Sequence, residues 1–235
     1  MGRVFEKRKA TMFKRYAKMA KAFTKIGREI AISVKAGGPN PDLNSRLRMI
    51  IQNAKAINMP KVNVDGAIKR ASEKDSSNYE EIIYEGYAPH GVPVLVECTT
   101  NNPTRTVASV RLYFSRAEGS LGTNGSVSYM FEHKVMFKID AAGLNKDDLE
   151  LELIDFGLEE INEDENYFVI QTAFTDFGNM QAALEEKKIN LVESSKIYVP
   201  TTFKELTPEQ EADVMAMIEK MEEDDDIEAV YHNIG

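Results

Sequence analysis

The stretch Val135-Met-Phe-Lys-Ile-Asp-Ala-Ala-Gly-Leu-Asn-Lys-Asp-Asp-Leu-Glu-Leu-Glu-Leu-Ile-Asp-Phe156 joins two textures. Its start, Val135–Ile139, is a short β-branched and aromatic run of the kind that forms a strand. Its end, Lys146–Phe156, spaces Leu149, Leu153 and Phe156 so that they share the inward face of a helix. Strands are expected at Leu158–Ile161 and Tyr167–Ala173, around the acidic turn Asn162–Asn166. A helix over Asp176–Lys188 and a strand over Leu191–Tyr198 follow. The order βαββαβ is that of the ferredoxin-like split βαβ unit, expected here over 134–200.

Upstream, Tyr79–Tyr87 and Val92–Thr99 read as strands around the turn Ala88-Pro89-His90-Gly91. Asn101-Asn102-Pro103-Thr104 starts a helix that carries Val107, Val110, Leu112 and Phe114 to about Glu118. Gly119–Gly125 is a glycine-rich loop, and Ser126–Phe131 is expected as a strand. At the far end, Thr207-Pro208-Glu209-Gln210 is a helix-start signature. Val214, Met217, Ile218 and Met221 form that helix's apolar face, and Ile227–Ile234 reads as a last strand. The segment 79–132 lacks one helix and one strand for a compact sheet, and the tail supplies that pair. The expected organisation is thus a discontinuous α/β domain, 79–133 plus 201–235, with 134–200 inserted into it.

The first third is helical and basic. From Phe13 to Val34, Phe13, Tyr16, Ala20, Phe23, Ile30 and Val34 recur at helical spacing. Lys14, Lys18, Lys21, Lys25 and Arg28 recur on nearly the opposite face. Gly37-Gly38-Pro39 ends the helix. Arg3, Lys7, Arg8 and Lys9 precede it as a basic arm, and Arg15 adds to the charge. Asn40-Pro41-Asp42 signals a second helix with the stripe Leu43, Leu47, Ile50, Ala54 and Ile57, stopped at Met59-Pro60. Asn63 is expected to cap a third, through Val64, Ala67, Ile68 and Ala71. Together they make a basic three-helix domain, 1–78, whose end Glu73–Asn78 is a polar linker. The whole is an α+β chain: a helical N-terminal domain followed by two α/β domains.

The 235-residue chain has a formal net charge of −9. That figure hides a split. Residues 1–78 hold 18 Lys/Arg and 6 Asp/Glu, net +12, whereas residues 79–235 hold 11 and 32, net −21. Such asymmetry within one chain points to a cationic module for a polyanion. A row of Lys and Arg suits phosphate contact, because each neutralised phosphate releases counterions. The rival readings are a solvated helix face and a mitochondrial transit peptide. Acidic partners are nearly absent, with only Glu6 and Glu29 near the row, which weighs against the first. The segment is Lys-rich rather than Ser/Arg-rich and runs on into further helices, which weighs against the second.

Several classes are excluded. A single cysteine rules out a disulfide framework and a Cys-based structural zinc site. No run approaches the roughly 18–20 apolar residues of a membrane span, so a soluble, cytoplasmic protein is expected. Gly119–Gly125 lacks the Gly-Lys-Ser/Thr ending of a phosphate loop and leads into a strand. His90, His133 and His232 have no metal-ligand spacing and are expected as surface or interface residues. Cys98 reads as a small buried residue. The acidic run Glu222–Asp226 reads as a solvated helix end rather than a calcium site. No catalytic constellation, metal site or small-molecule cofactor is expected. A site uniting the loops at His90, Arg105 and Asn124 is the one enzymatic alternative, and no nucleophile–base pair supports it.

Six stretches resemble the YebC/PmpR-like proteins. They are Phe23-Thr-Lys-Ile-Gly-Arg-Glu-Ile30, Asn53-Ala-Lys-Ala-Ile-Asn-Met-Pro-Lys61, Tyr84-Glu-Gly-Tyr-Ala-Pro-His-Gly91, Asn101-Asn-Pro-Thr-Arg-Thr106, Gly119-Ser-Leu-Gly-Thr-Asn-Gly-Ser-Val-Ser-Tyr-Met-Phe131 and Asp224-Asp-Asp-Ile-Glu-Ala-Val-Tyr-His-Asn-Ile234. The resemblance spans nearly the whole chain. It implies three domains, nucleic-acid binding and control of gene expression. The nucleic acid would be promoter DNA for a transcriptional regulator. It would be ribosomal RNA for a ribosome-associated factor that assists translation of proline runs. The Gly-His-Ser-Lys-Trp opening of many members is absent here, where Met1–Lys9 has neither His nor Trp.

Overall fold

The computed structural model describes the backbone of residues 3–73 and 78–235, and the side chains of 19–73 and 78–235. The helices are α1 (Arg3–Gly37), α2 (Ser45–Ala56), α3 (Lys61–Ser72), α4 (Pro103–Arg116), α5 (Lys146–Leu153), α6 (Phe177–Glu186) and α7 (Pro208–Glu222). The strands are β1 (Glu80–Ala88), β2 (Val92–Thr100), β3 (Ser120–Leu121), β4 (Phe131–Asp140), β5 (Leu158–Asp164), β6 (Tyr167–Ala173), β7 (Leu191–Pro200) and β8 (Ile227–His232). Two compact units result, Met1–Ile82 with Thr99–Pro103, and Ile83–Cys98 with Thr104–Gly235.

In the first unit α1 runs for 35 residues, about 52 Å at 1.5 Å per residue. It stops where expected. Gly38 takes φ +82°, and its N–H donates to the Val34 carbonyl at 2.8 Å, a backbone turn that favours glycine. It starts earlier than expected, at Arg3, so the backbone of the supposed arm (Arg3, Lys7, Arg8, Lys9) is helical. Ile26, Ile30 and Val34 are buried, Phe23 is half-buried and Ala20 is exposed. Among the described residues of the stripe, Ile30 and Val34 are thus the buried ones, with Ile26 beside them. The side chains of Phe13 and Tyr16 lie outside the described residues.

Asn44 joins α1 to α2 through every polar atom of its amide. Its Oδ1 accepts from Leu47 N–H at 3.0 Å and from Ser33 Oγ at 3.1 Å. Its Nδ2 donates to the carbonyls of Ser33 at 2.8 Å and Gly38 at 2.9 Å. The amide lies so close to α1 that a Cβ at Gly37 would meet Nδ2 at 2.8 Å. Asn44, not Asn40-Pro41-Asp42, is therefore the cap of α2. Leu43, expected in the stripe, is 83% exposed because it precedes the helix. The third helix also begins before its expected cap. It starts at Lys61 behind Pro60, with no side-chain cap, so Asn63 lies inside it. Of the expected linker, residues 74–77 lie outside the described residues.

One sheet has the order β3-β1-β2-β8 and the other β5-β6-β4-β7. In the second sheet β4 is flanked antiparallel by β6 and β7, and β5 pairs with β6. This is the ferredoxin-like order, with α5 and α6 covering one face over Val135, Phe137, Ile139, Phe168 and Ile170. The helix expected over Lys146–Phe156 ends at Leu153 and tightens into a 3₁₀ turn through Phe156. In the first sheet the tail strand β8 pairs antiparallel with β2. Val94, Val96 and Cys98 of β2 pack with Val110 and Phe114 of α4 and Val214, Met217, Ile218 and Met221 of α7. The capping box of Thr207 and Gln210 forms as read. One expected strand is absent. Ser126–Phe131 contains a 3₁₀ turn at Ser128–Met130, and the short strand lies earlier, at Ser120–Leu121.

Asn44→Ala removes a cap and takes the amide donor from the Ser33 and Gly38 carbonyls, the first buried and the second half-buried. The expected loss is about 2–3 kcal/mol of unfolding free energy. Urea unfolding measures it, and a change under about 0.5 kcal/mol, as for an ordinary surface site, would refute the role given to this amide.

Candidate nucleic-acid interface

Of the ten cations singled out, Arg3, Lys7, Arg8, Lys9, Lys14, Arg15 and Lys18 have side chains outside the described residues. Lys21, Lys25 and Arg28 are described, and all three are half-buried rather than fully exposed. Arg28 is turned onto its own unit. Its Nη1 donates to the Thr99 carbonyl at 3.3 Å, and its guanidinium lies 5.6 Å from the ring centroid of Tyr79, a cation–π distance.

Arg28 also borders a groove of about 860 Å³ between α1 and α3. Phe23, Gly27 and Arg28 line one side, Asn63, Gly66 and Arg70 the other, with Tyr79 beside them. A Cβ at Gly27 would meet nothing within 4 Å, so that wall is open. Guanidinium groups beside aromatic rings suit a polyanion that also carries flat bases. Arg70, Asn63 and Tyr79 escape a reading of α1 alone. Asn63, Gly66, Ala67 and Arg70 do follow the i, i+3, i+4, i+7 rule of one helix face.

In the second unit a few polar residues are used internally. The Glu85 carboxylate is buried, yet Oε1 accepts from Gly125 N–H at 2.8 Å and Oε2 from Val127 and Ser128 N–H at 2.8 and 2.9 Å. Burial alone would raise its pKa, but these donors outweigh it and hold the carboxyl below its ordinary value. The glycine-rich loop does make an anion-binding nest, and the anion is the protein's own side chain. Gly125 at φ +85° supplies the bend.

The acidic run is not simply a solvated helix end. Asp226 is buried, and its Oδ2 accepts from Arg105 Nη2 at 2.6 Å, Arg105 Nε at 3.2 Å and Thr106 Oγ1 at 2.9 Å. Asp224 accepts from Tyr113 OH at 3.0 Å and from the Asp226 N–H at 2.9 Å. Glu222, Glu223 and Asp225 are exposed, as expected. His90 Nε2 lies 3.1 Å from Asp213 Oδ2. His90, Arg105 and the loop at Asn124 thus have separate partners. His133 is stacked between Phe174 and Tyr198 at 4.0 and 4.6 Å, and burial with nearby Lys196 lowers its pKa. Burial and the surrounding carboxylates push the Cys98 thiol far up, away from the reactive thiolate. Among the described residues no cluster of three His, Cys, Asp or Glu suits a metal ion, and no helix is long and apolar enough to cross a membrane.

A basic helical region followed by two antiparallel four-stranded sheets defines an α+β protein of mixed charge, and known proteins share that arrangement. The family description "TACO1/YebC protein N-terminal domain" matches residues 3–74, and "TACO1/YebC second and third domain" matches 79–234. A probable transcriptional regulatory protein of Flavobacterium psychrophilum is 53% identical over 234 residues, covering 100% of this chain and 99% of the relative. One of Myxococcus xanthus is 51% identical over 240 residues, covering 100% of both. The crystal structure of a conserved hypothetical protein from Aquifex aeolicus superposes with a TM-score of 0.81 at 35% identity, over 93% of this chain and 91% of that one. The chain belongs to the TACO1/YebC family.

Glu85→Gln places an amide where an oxygen meets backbone N–H donors, with an expected loss of about 1–3 kcal/mol. The sign of the pH effect follows from the lowered value. The stabilisation is complete above the ordinary glutamate range and fades as pH falls through the folded-state pKa. The wild type should therefore lose its advantage over the variant in acid. Parallel stability curves from neutral pH downwards would contradict this.

Proposed function

We propose that this protein is a regulator of gene expression that binds duplex DNA through its basic helical region, and that it acts in the cytoplasm as a binding protein rather than an enzyme. The observation that carries this is the row of cations on α1, with Arg28 and Arg70 lining the adjoining groove. Regulatory names among relatives about half identical over the full chain support it. In this reading the domains are 1–78, which holds the DNA, a discontinuous 79–133 plus 201–235, and an inserted 134–200. The two acidic domains face away from phosphate or toward a basic protein. Arg3, Lys7, Arg8, Lys9, Lys14, Arg15, Lys18, Lys21, Lys25 and Arg28 meet the sugar–phosphate backbone. Such contacts position the protein, and base readout requires further side chains.

The test is a titration of a short duplex across a salt series. Replacing Lys14, Lys18, Lys21 and Lys25 by Ala should weaken binding and flatten the log–log salt slope by up to about 0.9 for each phosphate no longer neutralised. An unchanged slope would show that the row is only a solvated face. Promoter fragments and ribosomal RNA serve as competitors. Preference for the RNA, together with co-sedimentation with ribosomes, would replace the DNA reading by a translational one.

A further inference from the structure

Helix α3 carries a second face. Lys61, Val64, Asp65, Ile68 and Lys69 follow one another at i, i+3, i+4, i+7 and i+8. Opposite them α2 contributes Ile51 and Lys55, and the α1–α2 connection contributes Pro39 and Pro41. Together they line a groove of about 730 Å³. Its floor is apolar: Met59 and Val64 are buried, and Ile51 and Ile68 are half-buried. Its rim is cationic: Lys55, Lys61 and Lys69 are all exposed. Among the described residues none of these three ammonium groups has an ion-pair or hydrogen-bond partner.

We infer that this α2–α3 groove is a second DNA-backbone contact, separate from the α1 row; the inference rests on the DNA-binding reading above. Charge complementarity names the occupant. Three unpaired ammonium groups surround a groove whose only carboxylate among the lining residues is Asp65. Low-polarity walls strengthen the field of such charges at the groove mouth. Spacing narrows the choice. Lys61 and Lys69 lie eight residues apart on one helix, about 12 Å along its axis at 1.5 Å per residue. That is about the width of the B-DNA major groove, so the two lysines reach phosphates on its two sides. Asp65 falls between them, over the groove rather than over a phosphate, where its charge does least harm. The α1 row and this groove then grip the backbone at two places. The binding region is accordingly larger than α1 alone.

The experiment uses the full chain and the same duplex titration. The triple variant Lys55→Gln, Lys61→Gln, Lys69→Gln removes the rim charge at exposed positions, and an unchanged thermal melt confirms the fold. Its salt slope should fall by about 0.9 for each phosphate no longer neutralised, up to about 2.7 in all. The arginine triple at the same positions should keep the wild-type slope. A Lys21→Ala, Lys25→Ala variant is run alongside. If that variant lowers the slope and the groove triple does not, the groove proposal fails while the DNA-binding reading stands. If the groove triple lowers the slope on a ribosomal RNA helix but not on DNA, the occupant is wrong and the proposal is overturned. If the wild type shows no salt-dependent duplex binding, both fall together.

Discussion

The last strand of the chain has to come back. Strand β8 pairs with β2, and Tyr231 OH donates to Glu97 Oε2 across a separation of 134 residues. Without it the sheet β3-β1-β2-β8 has an open edge at β2 and its core lacks Ile227. The entry to that strand is held by Asp226. A buried carboxylate is costly unless it is paired and hydrogen-bonded, and here Arg105 and Thr106 of α4 do both. Two sequence stretches far apart in the chain, Asn101–Thr106 and Asp224–Ile234, are thereby one structural feature.

The same economy explains where the acidic charge goes. Glu85 organises the glycine-rich loop from within, and Asp224 and Asp226 are tied to α4. These carboxylates serve folding. Others stay on the surface of the ferredoxin-like region, where residues 134–200 hold 6 Lys/Arg and 15 Asp/Glu, net −9. The positive charge is distributed differently. It lies along α1 and on both faces of α3, in Arg70 on one side and in Lys61 and Lys69 on the other.

Periodic features were legible in the amino-acid sequence, and single polar contacts were not. The βαββαβ order follows from alternating textures, and the end of α1 follows from Gly37-Gly38-Pro39. Val214, Met217, Ile218 and Met221 are buried as their spacing requires. Asn44 and Glu85 leave no such trace, because a polar side chain bonded to backbone elsewhere looks like any surface residue until the chain has folded. Asp226 sits in a run of five acids, and only position separates it from its exposed neighbours. The two-residue strand β3 is too short for a period, and its place in the sheet comes from pairing Gly86 with Leu121 and Tyr87 with Ser120. The candidate interface divides in the same way. The cation row on α1 is a matter of spacing, whereas Arg28, Arg70 and Tyr79 line one groove only once α3 and the residue preceding β1 have packed beside α1.

The return of β8 also orders events in time. Synthesis runs from the N-terminus, and regions tend to fold as they emerge. Strands β4 to β7 with α5 and α6 are contiguous and complete at Pro200. Strand β2, made a hundred or so residues earlier, keeps a bare apolar edge until Ile227–His232 has been added. A nascent chain, or one cut short by a premature stop after Pro200, therefore carries a finished sheet beside an unfinished one, and the unfinished edge is the place where such fragments would stick to one another.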